Sequence, residues 1–146
     1  MQKKGYLLVG ALIVLSVIYV HYFTDLFAKR QLIVTPSLRP SFGADGAVYS
    51  VVFSLNGQYK IKNLKVVPLE NGKVSVVAHP LWSLVADSNS APTQMFVYGR
   101  RPHGMKQAPD NAKAERLQPD VPYRLIVSAD GLTGMADFKT RATPGN

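Results

Sequence analysis

Residues 5–23 (GYLLVGALIVLSVIYVHYF) contain no Asp, Glu, Lys or Arg. These 19 residues, at about 1.5 Å rise each, span roughly 28 Å as a helix, close to the thickness of a bilayer's hydrocarbon core. Lys3 and Lys4 stand just before the run, and Lys29 and Arg30 just after it. The expected organisation follows from this feature. Residues 1–4 form a short basic tail, 5–23 a transmembrane helix, 24–30 a juxtamembrane linker and 31–146 one domain held at a membrane surface.

A cleavable signal sequence is the competing interpretation. It has a shorter apolar region, about 7–15 residues, followed by small residues at the cut site. The run here is longer, and bulky His21, Tyr22, Phe23, Leu26 and Phe27 close it. A cut after Ala28 places Leu26 where a small side chain is wanted, and the chain has no Cys to carry a lipid. An uncleaved anchor is therefore expected. A type IV prepilin is a weaker alternative, because Tyr6 and Gly10 stand where that family has Phe and Glu. Tyr19, Tyr22, Phe23 and Phe27 suit the headgroup layer, with Lys3, Lys4, Lys29 and Arg30 as charged flanks, although packing on a partner helix fits the aromatics too. The basic residues are nearly balanced across the span. The short basic N-terminus resembles a signal anchor, which leaves the N-terminus cytoplasmic and, in a bacterial inner membrane, the domain periplasmic. Gly5, Gly10, Ala11 and Ser16 are never four apart, so tight self-dimerisation through small residues is not signalled.

Beyond residue 30 the strand signals are short and frequent. Ala47, Tyr49, Val51, Phe53 and Leu55 alternate with Ser50 and Ser54, as one buried face of a strand requires. Asn56-Gly57 and Asn71-Gly72 have the composition of two-residue hairpin turns, which need φ > 0 at both positions. Asp130-Gly131 falls in a last hairpin. Strands are expected over 31–35, 47–55, 59–67, 73–78, 81–86, 95–98, 123–128 and 135–140, with at most one helical turn at 112–117. The sum is an all-β, antiparallel sandwich of about seven or eight strands.

Leu117-Gln118-Pro119-Asp120-Val121-Pro122-Tyr123 has a Leu-x-Pro-x-x-x-Tyr spacing, followed by alternating Arg124-Leu125-Ile126-Val127-Ser128. This resembles the corner before strand F in fibronectin type III and related immunoglobulin-like sandwiches, where a Tyr hydroxyl bonds to the backbone upstream. The segment 134–140, with Phe138 before Thr140, resembles their last strand. The resemblance covers residues 117–140, with Val121 in place of the usual Thr, and gives Leu117, Pro119 and Tyr123 structural roles. Trp82 is a candidate core Trp. Residues 81–105 are also similar to an uncharacterised group of small bacterial envelope proteins. Both resemblances imply a fold and no activity.

No pattern in the chain defends a catalytic site. Without Cys, thiol catalysis and disulfides are excluded. His21, His79 and His103 are isolated from one another, and no His-Glu-x-x-His or Gly-x-Ser-x-Gly occurs. Gly99 and Gly104 have phosphate-loop spacing, but Met105 replaces the required Lys and no Ser or Thr follows Lys106. No cofactor, metal or small-molecule substrate is expected. The same connection, residues 98–110, concentrates Arg100, Arg101, His103 and Lys106 and is the candidate partner-binding loop, against the plainer role of a solvated loop.

The chain carries 17 Lys and Arg against 9 Asp and Glu, a net charge of +8. Near an anionic leaflet each basic residue adds up to about 1 kcal/mol of attraction. Lys60, Lys62 and Lys65 form a basic stripe, expected to guard a strand edge. Nucleic acid is not an expected partner, because no recognition motif is present. The expectation is a non-enzymatic accessory or assembly subunit whose partners are membrane lipids and other membrane proteins. The first alternative is a module binding envelope glycan, peptidoglycan or anionic lipid through Tyr49, Tyr59, Phe96 and Tyr98. The second is a small hydrolase using His79 or His103.

Overall fold

The computed structural model describes residues 2–23, 30–43, 46–75 and 78–142. Phe27 and Lys29, most of the linker and the end of the C-terminal tail lie outside these, as do the side chains of Lys3 and Phe23. The chain divides into two compact units, Met1–Arg30 and Gln31–Asn146.

The first unit contains helix α1, Gln2–Phe23. It is apolar on every side, and its side chains from Lys4 to Tyr22 are exposed, including Tyr19 and Tyr22. The Ser16 hydroxyl is absorbed by the helix itself, donating to the Leu12 carbonyl at 2.8 Å. The segment Lys4–Tyr22 is long and apolar enough to cross a membrane, a test that an anchor and a signal sequence both pass.

The second unit is built from two antiparallel sheets, with nine strands among the described residues. They are β1 (Val34–Gly43), β2 (Gly46–Tyr59), β3 (Ile61–Glu70), β4 (Lys73–Val74), β5 (Trp82–Ala86), β6 (Thr93–Val97), β7 (Met105–Gln107), β8 (Pro122–Ala129) and β9 (Leu132–Lys139). One sheet has the order β1-β2-β6; the other runs β7-β5-β3-β8-β9, with β4 paired to the end of β3. The alternation in 47–55 places Val51, Phe53 and Leu55 in the core, facing Leu64, Val66, Leu84, Leu125 and Val127. Aromatic rings join the layers. Phe53 of β2 lies 5.4 Å from Phe96 and 5.1 Å from Phe138, Phe138 meets Tyr123, and Trp82 touches Phe96 and Tyr98.

Two of the three expected turns form. Asn71 and Gly72 (φ 51° and 75°) close β3 onto β4, and Asp130 and Gly131 (φ 49° and 79°) close β8 onto β9. Asn56-Gly57 does not turn. β2 runs straight through it to Tyr59, and β2 and β3 belong to different sheets. The reason lies in the Asn56 side chain. Its Oδ1 accepts from the Ile33 N–H (3.1 Å) and its Nδ2 donates to the Gln31 carbonyl (2.9 Å), while its own N–H donates to Ile33 O (3.1 Å). Asn56 thereby pairs sideways with the incoming chain, and the crossing to β3 comes at Lys60.

Three further expectations are corrected. Lys62 and Lys65 lie on β3, which is flanked by β5 and β8, so they occupy the solvent face of an interior strand and guard no edge. The first strand begins at Val34, three residues later than expected from 31, and continues to Gly43 through Pro36 and Pro40. Tyr98 N–H donates to Val51 O, so Val51 directs its backbone groups away from β1. By antiparallel alternation the partners Pro36, Leu38 and Pro40 direct theirs to the outer edge of β1. The missing proline N–H groups therefore fall where no ladder needs them, the setting in which a strand tolerates Pro. The strand expected over 73–78 is confined to Lys73–Val74, with 76–77 outside the described residues.

The corner before β8 has the expected bond. The Tyr123 hydroxyl, on a ring 2 % exposed, accepts from the Gln118 N–H at 2.9 Å. Thr140 completes a clasp: its hydroxyl donates to Gln118 O (2.9 Å) and its carbonyl accepts from the Asp120 N–H (2.9 Å). Leu117 packs against the core, while Pro119 is exposed and bridges to Thr140. Replacing Tyr123 by Phe removes the acceptor and leaves a part-buried N–H unpaired, which costs about 1–2 kcal/mol. Equilibrium unfolding of the full chain in mild detergent measures this, and an unchanged midpoint would show that the corner contributes nothing.

On the outer face of the larger sheet Arg124 grips Asp137 with two bonds, of 2.6 and 2.8 Å. The hydrogen bond from Arg124 holds the Asp137 carboxyl below its ordinary range despite an opposing effect of burial. A depressed folded pKa means stability that is present at neutral pH and lost as pH falls through the folded value. The stability gap between the natural chain and Asp137→Asn should therefore be open at pH 7 and close below about pH 3.9, the unfolded Asp value. Because Asp137 is half exposed, the gap is small.

Candidate functional site

The connection after β6 was the sequence's candidate. Gly99 (φ 79°) turns the chain, and the Arg100 N–H closes on Val97 O at 3.1 Å. A second turn follows, with the Met105 N–H on Pro102 O at 3.2 Å and Gly104 at φ 76°. Gly104 O accepts from the Asp87 N–H (2.8 Å), and a Cβ at Gly104 would run into the backbone of Asn89 and Ser90. The connection is thus pinned against the β5–β6 turn. Arg100, Arg101 and His103 are exposed on it. Lys106 is exposed too, but it sits on β7 opposite Val85 and not in a loop, so the expected uninterrupted loop over 98–110 is corrected. A strand follows Gly104, not the helix that a phosphate loop requires.

The structure brings a different set of residues together. At the end of the sandwich where β6 stops, a cleft of about 870 Å³ opens between β2 and the segment 113–119. Tyr49, Ser50 and Tyr98 line it together with the basic residues Lys113, Arg116 and Arg141. A second cleft of about 480 Å³ adjoins it through Tyr49, Val51 and Arg141.

The walls are held from behind. Tyr98 stacks edge-on against Trp82, with ring centres 5.0 Å apart, and its hydroxyl donates to the Glu115 carbonyl at 2.8 Å. Burial raises the Tyr98 phenol above its usual range, with the Glu115 charge adding to this. Glu115 N–H donates to Leu81 O (2.9 Å), and Ala114 and Leu117 pack on the core. These anchors hold 112–117 against the core without regular secondary structure; no helical turn forms there, which corrects that expectation. The Glu115 carboxylate lies 3.6 Å from Nε2 of exposed His79, an ion pair when that imidazole is protonated.

The candidate aromatics separate. Phe96 is 4 % exposed and belongs to the core, and half-buried Tyr59 packs against it, so neither is an exposed ligand platform. Tyr49 and Tyr98 do line the cleft. His103 lies on the pinned turn and His79 beside Glu115. No group of three His, Asp or Glu residues able to hold a metal ion occurs among the described residues. Lys113, Arg116 and Arg141 were missed by sequence reasoning. Their only local signal is a basic residue in a polar stretch, and the fold supplies the convergence.

The chain matches no protein-family model, no curated protein and no solved structure.

Gly104 gives the test of how firmly the basic turn is fixed. Gly104→Ala forces a side chain into left-handed backbone and against Asn89, a loss of about 2 kcal/mol. Thermal unfolding should show it, with faster amide exchange at Asp87. An unchanged melting point and unchanged Asp87 exchange would mean that the turn is not held by this contact.

Proposed function

We propose that this chain is a single-pass membrane protein whose helix stays attached as an anchor. Its N-terminus is cytoplasmic, its sandwich lies in the periplasm of a bacterial envelope, and it works without catalysis as an accessory or assembly subunit of a membrane complex. The observation that carries this reading is the surface of α1. Its side chains from Lys4 to Tyr22 are exposed and apolar on all sides, a surface that calls for lipid and neighbouring helices. Anchoring confines the domain to a thin layer at the bilayer and raises its effective concentration towards membrane-resident partners.

We read the domain as an immunoglobulin-like sandwich of the fibronectin type III kind. The strand order supports this: β1, β2 and β6 match A, B and E on one sheet, and β3, β8 and β9 match C, F and G on the other, with β5 beside C. The Tyr123 bond to Gln118 stands where the tyrosine corner belongs. Trp82 departs from the immunoglobulin pattern, since it lies on β5, one strand away from β3.

The assembly reading is tested by extracting the native protein in mild detergent and weighing what co-migrates. A complex of fixed stoichiometry, containing the chain with residues 5–23 intact, is expected. A lone monomer, or a chain cleaved after the apolar run, would overturn it.

A further inference from the structure

We infer that the cleft beside β2 takes an extended, acidic segment of a partner polypeptide, which adds to β2 as a strand along Ala47 and Tyr49. This deepens the assembly reading, and rests on it for the existence of a protein partner.

β2 is much longer than its neighbour β6. The two pair at Val52–Ser54 and again at Tyr59, and the last bond of the pairing on the cleft side is Tyr98 N–H to Val51 O at 2.9 Å. Gly99 then turns the chain away. From Gly46 to Ser50, β2 keeps β1 on one side and, among the described residues, has no strand on the other. Because Val51 directs its backbone groups to that side, Tyr49 and Ala47 do so as well. Their N–H and C=O groups form a short open edge.

Open edges are ordinarily blunted. The outer edge of β1 is, by Pro36 and Pro40 at positions whose N–H would point outward. The stretch 46–50 of β2 carries no Pro. This stretch, open to one side and free of Pro, borders the larger cleft, whose lining includes Tyr49 and Ser50. A strand laid there needs four or five residues, about 15 Å.

Charge selects the occupant. Lys113, Arg116 and Arg141 line the cleft, and all three are exposed; Glu115, the acidic residue among the lining, has His79 at 3.6 Å. Carboxylates on alternate residues of an added strand fall on one face, within reach of two guanidinium groups whose forked donors fit them. Tyr49 and Tyr98 offer ring surface to the residues between. A lipid headgroup or an acidic glycan satisfies the cations but has no ladder of alternating amide donors and acceptors for Ala47 and Tyr49. Strand addition uses both features.

The test uses the full chain in mild detergent and an acetylated, amidated peptide of alternating Glu and Val. Controls are the Lys–Val counterpart, the Glu–Val peptide with alternate amides N-methylated in either phase, and vesicles containing phosphatidylglycerol. The Glu–Val peptide should bind, slow amide exchange at Ala47 and Tyr49, and lose at least about tenfold in affinity in the exposed-surface variant R116E/R141E. Absence of binding at millimolar peptide would overturn the inference, as would equal binding by the Lys–Val peptide or by both N-methylated peptides. Amide protection at Ala47 and Tyr49 by the vesicles alone would overturn it in favour of lipid. The two readings fail separately. A native complex that survives R116E/R141E, with no peptide binding, removes the cleft and leaves the assembly role; peptide binding by a chain that purifies alone removes the assembly role.

Discussion

Phe53 is fully buried, and its ring is held between Phe96 and Phe138. Through it the smaller sheet, which supplies Phe53 and Phe96, locks onto the last strand of the larger one. Burying one such ring contributes about 1.5–3 kcal/mol, and edge-to-face pairs add about 0.5–1.5 kcal/mol beyond area. The rest of the cleft end depends on this junction. Phe138 fixes β9, so that Thr140, two residues later, can clasp Gln118 and Asp120. That clasp holds the beginning of the segment that leads into Tyr123. On the other side Phe96 carries Trp82, and Trp82 carries Tyr98, whose hydroxyl fixes Glu115. Both ends of the wall at 113–119 are thus tied to one aromatic core.

Much of that core was legible because it obeys the period of two. The alternation around Phe53 and the run after Tyr123 each place one face inward, and no competing local preference intervenes. Turn dipeptides were less reliable guides. Asn71-Gly72 and Asn56-Gly57 are identical locally, and only the first turns. Asn56 stays in the strand because three hydrogen bonds to Gln31 and Ile33 reward an extended conformation. Those partners lie more than twenty residues upstream, and no local window contains them. The extent of β1 was hidden for another reason: a strand carries Pro36 and Pro40 only where it is an edge with their missing N–H groups on the open side, and no local pattern says which strand is an edge.

The candidate site shows the same division. Arg100, Arg101 and His103 are neighbours in the chain, and the sequence places them together on an exposed connection, where the fold also has them. The cleft gathers Tyr49, Tyr98, Arg116 and Arg141 from four separate segments. Nothing in their sequence context marks them, since a lone Arg after Glu115 and another after Thr140 are ordinary surface residues. What joins them is a mismatch in strand length: β2 outruns β6, and the vacated flank becomes a wall. Sequence patterns report which residues face inward along one strand, but not where a neighbouring strand ends.

The direction in which the domain is strung gives the cleft its significance. The chain enters the sandwich at Gln31, beside Asn56 and near the Asp130-Gly131 turn; Asn56 bonds Gln31 and Ile33, and Gly134 abuts Leu32. β1 then runs ten residues, about 33 Å, to the opposite end, where β2 begins and the cleft opens. The entry of the chain and the cleft are therefore at opposite ends of the sandwich. Within the sandwich, the open edge at Ala47 and Tyr49 lies at the end away from Gln31, and the strand that leads from Gln31 to that end is the one blunted by proline. With prolines along the outer edge of β1 and none in β2 from 46 to 50, the flank of β2 beside the cleft is left without a strand partner among the described residues, and Lys113, Arg116 and Arg141 line the space next to it.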